Sequence, residues 1–451
     1  MCRIFGACHL QGYYIDGIIT DILQSNLVHG GPDEVGKIIV DSCVLGVNRL
    51  AIMDPENGKQ PFKTTNVATV YNGEIYNHLE LRQYLIEKGI NFYTNCDGEI
   101  LPHLYNMFGL DAFTKLDGMF ACALWDRKNH RLILARDHAG MKPLYYTLMD
   151  GLLIFSSEIP ALLALPNIDK SISPLAIDTY LSLKAVYTMN SPLGEETIFS
   201  GIWSVPPGTL LIWEPENGIY LHRFTSNPSQ RAKLYSNLTE FETNLSSILE
   251  KEIIKLVQAD VPICSIISGG LDSSIVSSLV AKHYREQLNT FTIGYTGVWE
   301  SDERQYAQEV ADFLGTKHHE IELNPDDIPE ILPKVIYHLG QPNADPITVS
   351  SYALFEAISN YGFKVAISGD GSDEIFGGYD RLKEFVLNSY DSPSVKFNKY
   401  WNSLAAISID IRNELYSKSF KYYLNEVQSK RYFKEEMICK LNTVDEHFSL
   451  Q

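Results

Sequence analysis

Val261-Pro262-Ile263-Cys264-Ser265-Ile266-Ile267, Ser268-Gly269-Gly270-Leu271-Asp272-Ser273-Ser274 and Ile275-Val276-Ser277-Ser278-Leu279-Val280 run consecutively and decide how the second half of the chain folds. The first block is apolar and β-branched, the pattern of a short buried strand. The last block has helical spacing. Strand, glycine-rich turn, helix is an order that points bare backbone N–H groups outward from a helix start, where phosphates bind. Gly269 and Gly270 let the backbone approach a ligand that a side chain would hold off, and Asp272 offers a carboxylate for magnesium on those phosphates. The loop lacks Gly-Lys-Ser/Thr and is not a Walker A. The bland alternative is an ordinary strand–turn–helix with small residues packed closely.

A second string repeats this logic. Phe363-Lys364-Val365-Ala366-Ile367 reads as a buried strand, and Ser368-Gly369-Asp370-Gly371-Ser372-Asp373-Glu374-Ile375-Phe376-Gly377-Gly378-Tyr379 as a glycine-rich turn into an acidic helix start. Between the two strings, Phe291–Tyr295 reads as a strand and Tyr306–Gly315 as an amphipathic helix. Strand alternating with helix over 260–380 predicts a doubly wound parallel sheet, whose ligands sit beyond the strand C-termini. Both loops are then expected to meet at one nucleotide. His318-His319 resembles a metal pair, but neighbours on a strand point to opposite faces, and we read them as structural.

The remaining composition narrows the class. A chain of 451 residues exceeds one typical core, so two or three domains are expected. The net charge of −19 disfavours nucleic acid and anionic membrane as partners. Seven scattered cysteines without a C-x-x-C pair suit a reducing compartment, and neither a signal-peptide pattern nor a membrane-length apolar run is present, so a cytoplasmic protein is expected.

The N-terminal half carries different chemistry. Removal of Met1 would leave Cys2 first, with its α-amine, of ordinary pKa about 7.7–8.0, as an adjacent base. Read alone, Cys2 is as well explained by packing in a buried strand. Three stretches change that balance: Arg49-Leu50-Ala51-Ile52 after the strand-like Cys43–Val47, Asn72-Gly73-Glu74 after Val67–Tyr71, and Cys96-Asp97-Gly98-Glu99. An arginine is suited to clamping a carboxylate. An Asn72 amide and a Gly73 N–H suit an oxyanion hole, and an acid such as Asp97 suits a substrate ammonium. Each has a plain structural reading as surface residue, turn or cap; together they equip a site for hydrolysing an α-amino acid amide.

With these pieces in place, the N-terminal half resembles the class II glutamine amidotransferase domain. Further matching strings are His29-Gly30-Gly31-Pro32-Asp33, Leu116–Ala121, Arg136–Tyr146 and Ser156-Ser157-Glu158. Joined to the loop at Ser268, the chain resembles the glutamine-hydrolysing asparagine synthetases over roughly residues 1–382. The resemblance implies an N-terminal αββα-type sandwich of antiparallel sheets for residues 2–190, a junction over 191–236, and an ATP-dependent synthetase domain over 237–451. It implies Cys2 as nucleophile, with Asn72 and Gly73 at the oxyanion, and Arg49, Leu50, Ile52, Glu74 and Asp97 around glutamine. It assigns Ile267, Ser268, Gly269, Gly270, Asp272, Ser273, Ile293, Ser368 and Gly369 to ATP, Asp272 and Asp373 to Mg2+, and Asp370 to acyl-adenylate formation. Glutamine and aspartate are the implied substrates, and a homodimer the implied assembly.

Two departures accompany it. Relatives usually have His-Arg-Gly-Pro-Asp, where this chain has Gly30, a change expected to weaken glutamine binding or its coupling to the second site. After Arg381 no Arg-x-Pro-Phe-Leu-Asp element follows, and Lys383, Lys396, Lys418 and Lys421 lie in no matching context, so a C-terminally shortened synthetase domain is expected. Adenylation of another carboxylate, and a catalytically weak binding or regulatory relative, stay open as alternatives.

Overall fold

The computed structural model describes residues 2–186, 190–191, 193–225, 237–297, 299, 302–387 and 392–426. Ser226-Asn227-Pro228-Ser229-Gln230, whose composition reads as a linker, lies outside them, as does Cys439. Among the described residues the N-terminal part is two stacked antiparallel sheets. One runs in the order Asn190–Ser191, Gly194–Glu196, Ile202–Ser204, Tyr145–Met149, Leu152–Ser156, Arg3–His9, Cys43–Arg49, Glu34–Val40. The other runs Gly218–Arg223, Thr209–Glu214, Arg131–Arg136, Gly118–Asp126, Val67–Ile75, Phe62–Lys63.

Period-two alternation sorts the side chains into layers. Ile4, Cys8, Val47, Ala68, Val70 and Trp125 face inward and form the core between the sheets. Phe5, Ala7 and Val44 point the other way, onto helices Gly17–Ser25 and Ile159–Leu163. Tyr71, Ile75 and Phe120 point outward from the second sheet onto His78–Glu87 and Ile100–Phe108. Helix, sheet, sheet, helix is the αββα sandwich expected. The stretch 191–236, expected as a junction, supplies strands to both sheets as far as Arg223. Its Pro206-Pro207-Gly208 turn carries the chain from one sheet to the other, and turn chemistry alone does not distinguish that from a linker.

Asn72 and Gly73 do not follow a strand but lie within one. Val67–Ile75 pairs with Gly118–Asp126 from Val67↔Asp126 to Ile75↔Gly118. The polar residues end the hydrophobic signal before they end the ladder.

The C-terminal part is a parallel sheet in the order Lys317–Leu323, Asn289–Tyr295, Ile263–Ile266, Val365–Ile367. Helices Leu238–Leu256 and Leu271–His283 cover one face, around Ile253, Val280 and Ile367. Ile347–Asn360 covers the other, around Cys264, Phe291 and Leu354. The chain leaves the Ile263–Ile266 strand in one direction and returns on its opposite side as Val365–Ile367. That makes a switch point between two neighbouring parallel strands, in register Ile263↔Val365. Both glycine-rich loops leave there, as a doubly wound sheet requires. His318 and His319 face opposite ways, His318 Nδ1 to Thr290 Oγ1 at 3.0 Å and His319 Nε2 to Asn289 Oδ1 at 2.9 Å. No described helix is long and apolar enough to cross a membrane.

The two parts meet along several polar contacts. Asp54 N–H donates to Asp260 (2.7 Å), Lys255 pairs with Asp117 (2.6 Å), and Lys364 Nζ donates to Asp33 (2.7 Å) and the Ala51 carbonyl (3.3 Å).

Candidate functional site

The amide pocket is built by strand alternation. Ala68, Val70, Asn72 and Glu74 are every second residue of one strand, so Asn72 and Glu74 continue the face that Ala68 and Val70 turn towards the inter-sheet core. Cys2 packs against that same core, at the start of the strand Arg3–His9. Its Sγ lies 3.5 Å from the Leu50 carbonyl. Burial raises the thiol above its ordinary value, more than the Leu50 contact and the nearby positive charges lower it. The sulfur is therefore protonated at neutral pH and needs a base at the moment of attack.

Asn72 is fully buried, and neither its Oδ1 nor its Nδ2 has a hydrogen-bond partner among the described residues. A buried amide with both ends unused is costly in a core. Gly73 is required beside it: a Cβ there would lie 2.1 Å from the Met119 carbonyl oxygen. Asp97 is buried, accepting from Tyr71 Oη (2.5 Å) and Ile75 N–H (2.7 Å). Burial, then the Asp97 charge, pushes Glu74 well above the usual carboxylate range. Two acids sharing a desolvated corner favour a cation between them.

Arg49 is placed differently from the simple clamp expected. Its terminal nitrogens donate to the Met53 (3.0 Å), Asp54 (2.8 Å) and Pro55 (3.1 Å) carbonyls and to Glu34 (3.3 Å). It folds the loop carrying Leu50 and Ile52 around itself, and a substrate carboxylate would compete with Glu34, the longest of these contacts. The space beside Gly30 is taken by a side chain: a Cβ there would lie 2.5 Å from the Arg3 guanidinium carbon. Arg3 fills that space, donating to Glu158 through Nε and to the Cys2 carbonyl (3.3 Å).

At the switch point the second set converges. Gly269 has φ +88°, and a Cβ would meet Tyr306 Cβ at 2.7 Å. A Cβ on Gly369 would meet Ser273 N at 2.7 Å and the Asp272 carbonyl carbon at 2.9 Å, so the second loop lies directly on the first. Ser268 N–H donates to Ser273 Oγ (3.1 Å), Gly270 N–H to Ser268 Oγ (3.2 Å), and Ser368 Oγ to Asp370 (2.9 Å). A cavity of about 460 Å³ beside the loops is lined by Ile267, Ser268, Ile293 and Trp299. Its size and largely apolar wall suit a flat heterocycle. Asp272 lies in the first turn of its helix and Asp373 in that of the helix Ser372–Phe376. Asp373 turns its carboxylate towards Gly378.

Sequence reasoning missed the residues joining the two sets. A cavity of about 350 Å³ runs between them, lined at one end by Ile52, Glu74, Met119 and Met141 and at the other by Ala366, Ser368 and Asp370. His78 and Lys255 also line it. The Gly-Met steps at Gly118-Met119 and Gly140-Met141 lie in strings visible as motif matches, but nothing local tells which methionine faces another domain.

Cys2 near a buried, unpartnered Asn72 amide in an αββα sandwich, joined to a glycine-loop parallel sheet, makes a two-domain chain. Residues 1–225 match the family described as glutamine amidotransferase domain, and residues 244–447 the family described as asparagine synthase. A glutamine-hydrolysing asparagine synthetase of Bacillus subtilis (strain 168) is 33% identical over 371 residues, 80% of this chain and 56% of that one. One from Oryza sativa subsp. japonica is 36% identical over 373 residues, 79% and 56% of the two chains. This chain belongs to the glutamine-hydrolysing asparagine synthetase family. It spans a little over half the length of these relatives.

Proposed function

We propose that the chain converts aspartate to asparagine with glutamine as nitrogen donor and ATP as energy source. The observation that carries this reading is the 350 Å³ passage joining the amide pocket to the Ser368–Asp370 loop. A hydrolase and a nucleotide site with separate tasks would have no use for it.

In this reading Glu74 and Asp97 hold the glutamine ammonium and the Arg49 loop its carboxylate. The Cys2 thiol loses its proton to the terminal amine and its sulfur adds to the amide carbon. Asn72 Nδ2–H and the Gly73 N–H stabilise the oxyanion. As the C–N bond breaks, the nitrogen takes the proton and leaves as ammonia; water then hydrolyses the thioester to glutamate. At the switch point an aspartate carboxylate oxygen attacks the α-phosphorus of ATP, expelling pyrophosphate. The backbone amides of 269 and 368–369 would face those phosphates, while the bare Cα positions at Gly269 and Gly369 let the loops pack against Tyr306 and against Asp272–Ser273. Asp272 and Asp373 would hold Mg2+, which would offset charge on the pyrophosphate. Ammonia passing along this cavity attacks the acyl carbon, loses a proton, and AMP departs.

The test is pyrophosphate release with Mg-ATP and aspartate, using glutamine or ammonium, in wild type and Cys2→Ala. Release with both donors in wild type, and with ammonium alone in the variant, is expected. Glutamate production without aspartate-dependent pyrophosphate would refute the synthetase half of the reading.

A further inference from the structure

At the seam between the two domains lies a cluster that neither reaction uses. His29, Glu158 and His338 present three ligand atoms within 4.8 Å of one another. His29 comes from the short turn Val28–Gly30, and Glu158 immediately precedes the helix Ile159–Leu163. His338 comes from the last turn of Ile328–Leu339, in the other domain. His29 Nε2 lies 3.0 Å from each Glu158 oxygen. The two imidazole rings sit 4.7 Å apart, tilted by 55°. His338 has ring contacts with His29, Tyr337 and Tyr352, but its nitrogens have no hydrogen-bond partner among the described residues.

We propose that His29, Glu158 and His338 form a binding site for a divalent transition-metal ion of the zinc class, tying the amidotransferase domain to the synthetase domain. Two imidazoles and one carboxylate select zinc, cobalt or nickel over magnesium and calcium, which prefer oxygen. Zinc bonds of about 2.0–2.1 Å at tetrahedral angles set ligands about 3.3 Å apart. The His29–Glu158 spacing of 3.0 Å is already close to this, and His338 lies within 4.8 Å of both, so at most about 1.5 Å remains to be closed. Arg3 engages Glu158 through Oε1 and so orients the carboxylate, whose Oε2 lies 3.0 Å from His29 Nε2. Burial lowers the His338 pKa, keeping its ring neutral and able to bind a metal. Burial would raise Glu158, but the His29 and Arg3 interactions outweigh it and hold the carboxylate ionised. His29 is exposed, which gives an ion a way in. A bare His29–Glu158 hydrogen bond accounts for two members of the cluster and leaves the His338 nitrogens without a hydrogen-bond partner among the described residues; a shared ion accounts for all three.

The experiment uses the metal-stripped full chain and Co2+ as a spectroscopic stand-in for zinc. Wild type and Cys2→Ala are expected to develop the same visible absorption of low-coordinate cobalt, with no thiolate charge-transfer band. His338→Asn and His29→Asn, checked by circular dichroism for an unchanged fold, are each expected to bind at least about tenfold more weakly. One equivalent of zinc should raise the wild-type Tm and leave that of His338→Asn unmoved. Equal cobalt affinity in wild type and His338→Asn, a thiolate band that vanishes in Cys2→Ala, or no binding below millimolar cobalt would each overturn the proposal.

Discussion

Replacing Asn72 by leucine should separate function from stability with opposite signs. Asn72 is fully buried and both amide atoms lack partners among the described residues. An unsatisfied buried polar group costs about 1–3 kcal/mol, and exchange for an apolar group of similar shape relieves that cost. Leucine is close to asparagine in size, and the side chain faces the apolar layer that holds Val70. After allowance for imperfect fit, Asn72→Leu should stabilise the amidotransferase domain by about 1–2 kcal/mol, raising Tm by about 2–8 °C at this domain size. The same change removes one oxyanion donor, which costs roughly 2.7–4 kcal/mol in the transition state, a 10²–10³-fold loss in kcat. The assay is glutamate production from glutamine, beside thermal unfolding of the same preparations. KM should change little, because the donor serves the transition state and not the bound amide. A lower Tm with activity lost in proportion would mean that Asn72 is a structural residue. Full glutaminase activity would remove it from the oxyanion hole.

Three further outcomes follow from other parts of the molecule. Because burial holds the Cys2 thiol above its ordinary 9.0, its alkylation by iodoacetamide should rise about tenfold per pH unit through pH 8 without a plateau; adduct mass spectrometry showing a plateau below pH 8 would contradict this. Met141→Trp places a larger side chain in the 350 Å³ passage, so glutamine-dependent asparagine formation should fall at least about tenfold while ammonium-dependent formation persists; equal loss of both would argue against transfer through the passage. Burial raises Asp33, but the Lys364 and Ala51 hydrogen bonds outweigh it and leave its pKa below the ordinary 3.8. The pair therefore contributes fully at neutral pH and is lost as pH falls through the lowered value. Lys364→Met should cost about 0.2–1 kcal/mol at pH 7, since both side chains are about one-third exposed, and the difference from wild type should fade below pH 3.8 in denaturant titrations.

Much of this protein was legible in one dimension. The β-branched runs ending in Ser268-Gly269-Gly270 and Ser368-Gly369 specified parallel strands and their loops, because backbone sterics and period-two burial act locally. The same locality marked Asn72, Gly73 and Asp97 as unusual for their surroundings, and the motif strings joined them to Cys2. It did not show that Asn72 sits inside a nine-residue strand, since the ladder to Gly118–Asp126 depends on a partner more than forty residues away. Nor did it show that 191–223 closes two sheets, because Pro-Gly turns look alike within a domain and between domains. Arg49 looked like a free clamp and is wrapped by its own loop. Arg3 filling the space over Gly30, the methionines along the passage, and His338 arriving beside His29 are all decided by how elements distant in the chain pack together. Chain order fixes which side chains can share a face of one element; only packing between elements decides which faces meet, and the passage and the His29–Glu158–His338 cluster exist only at that meeting.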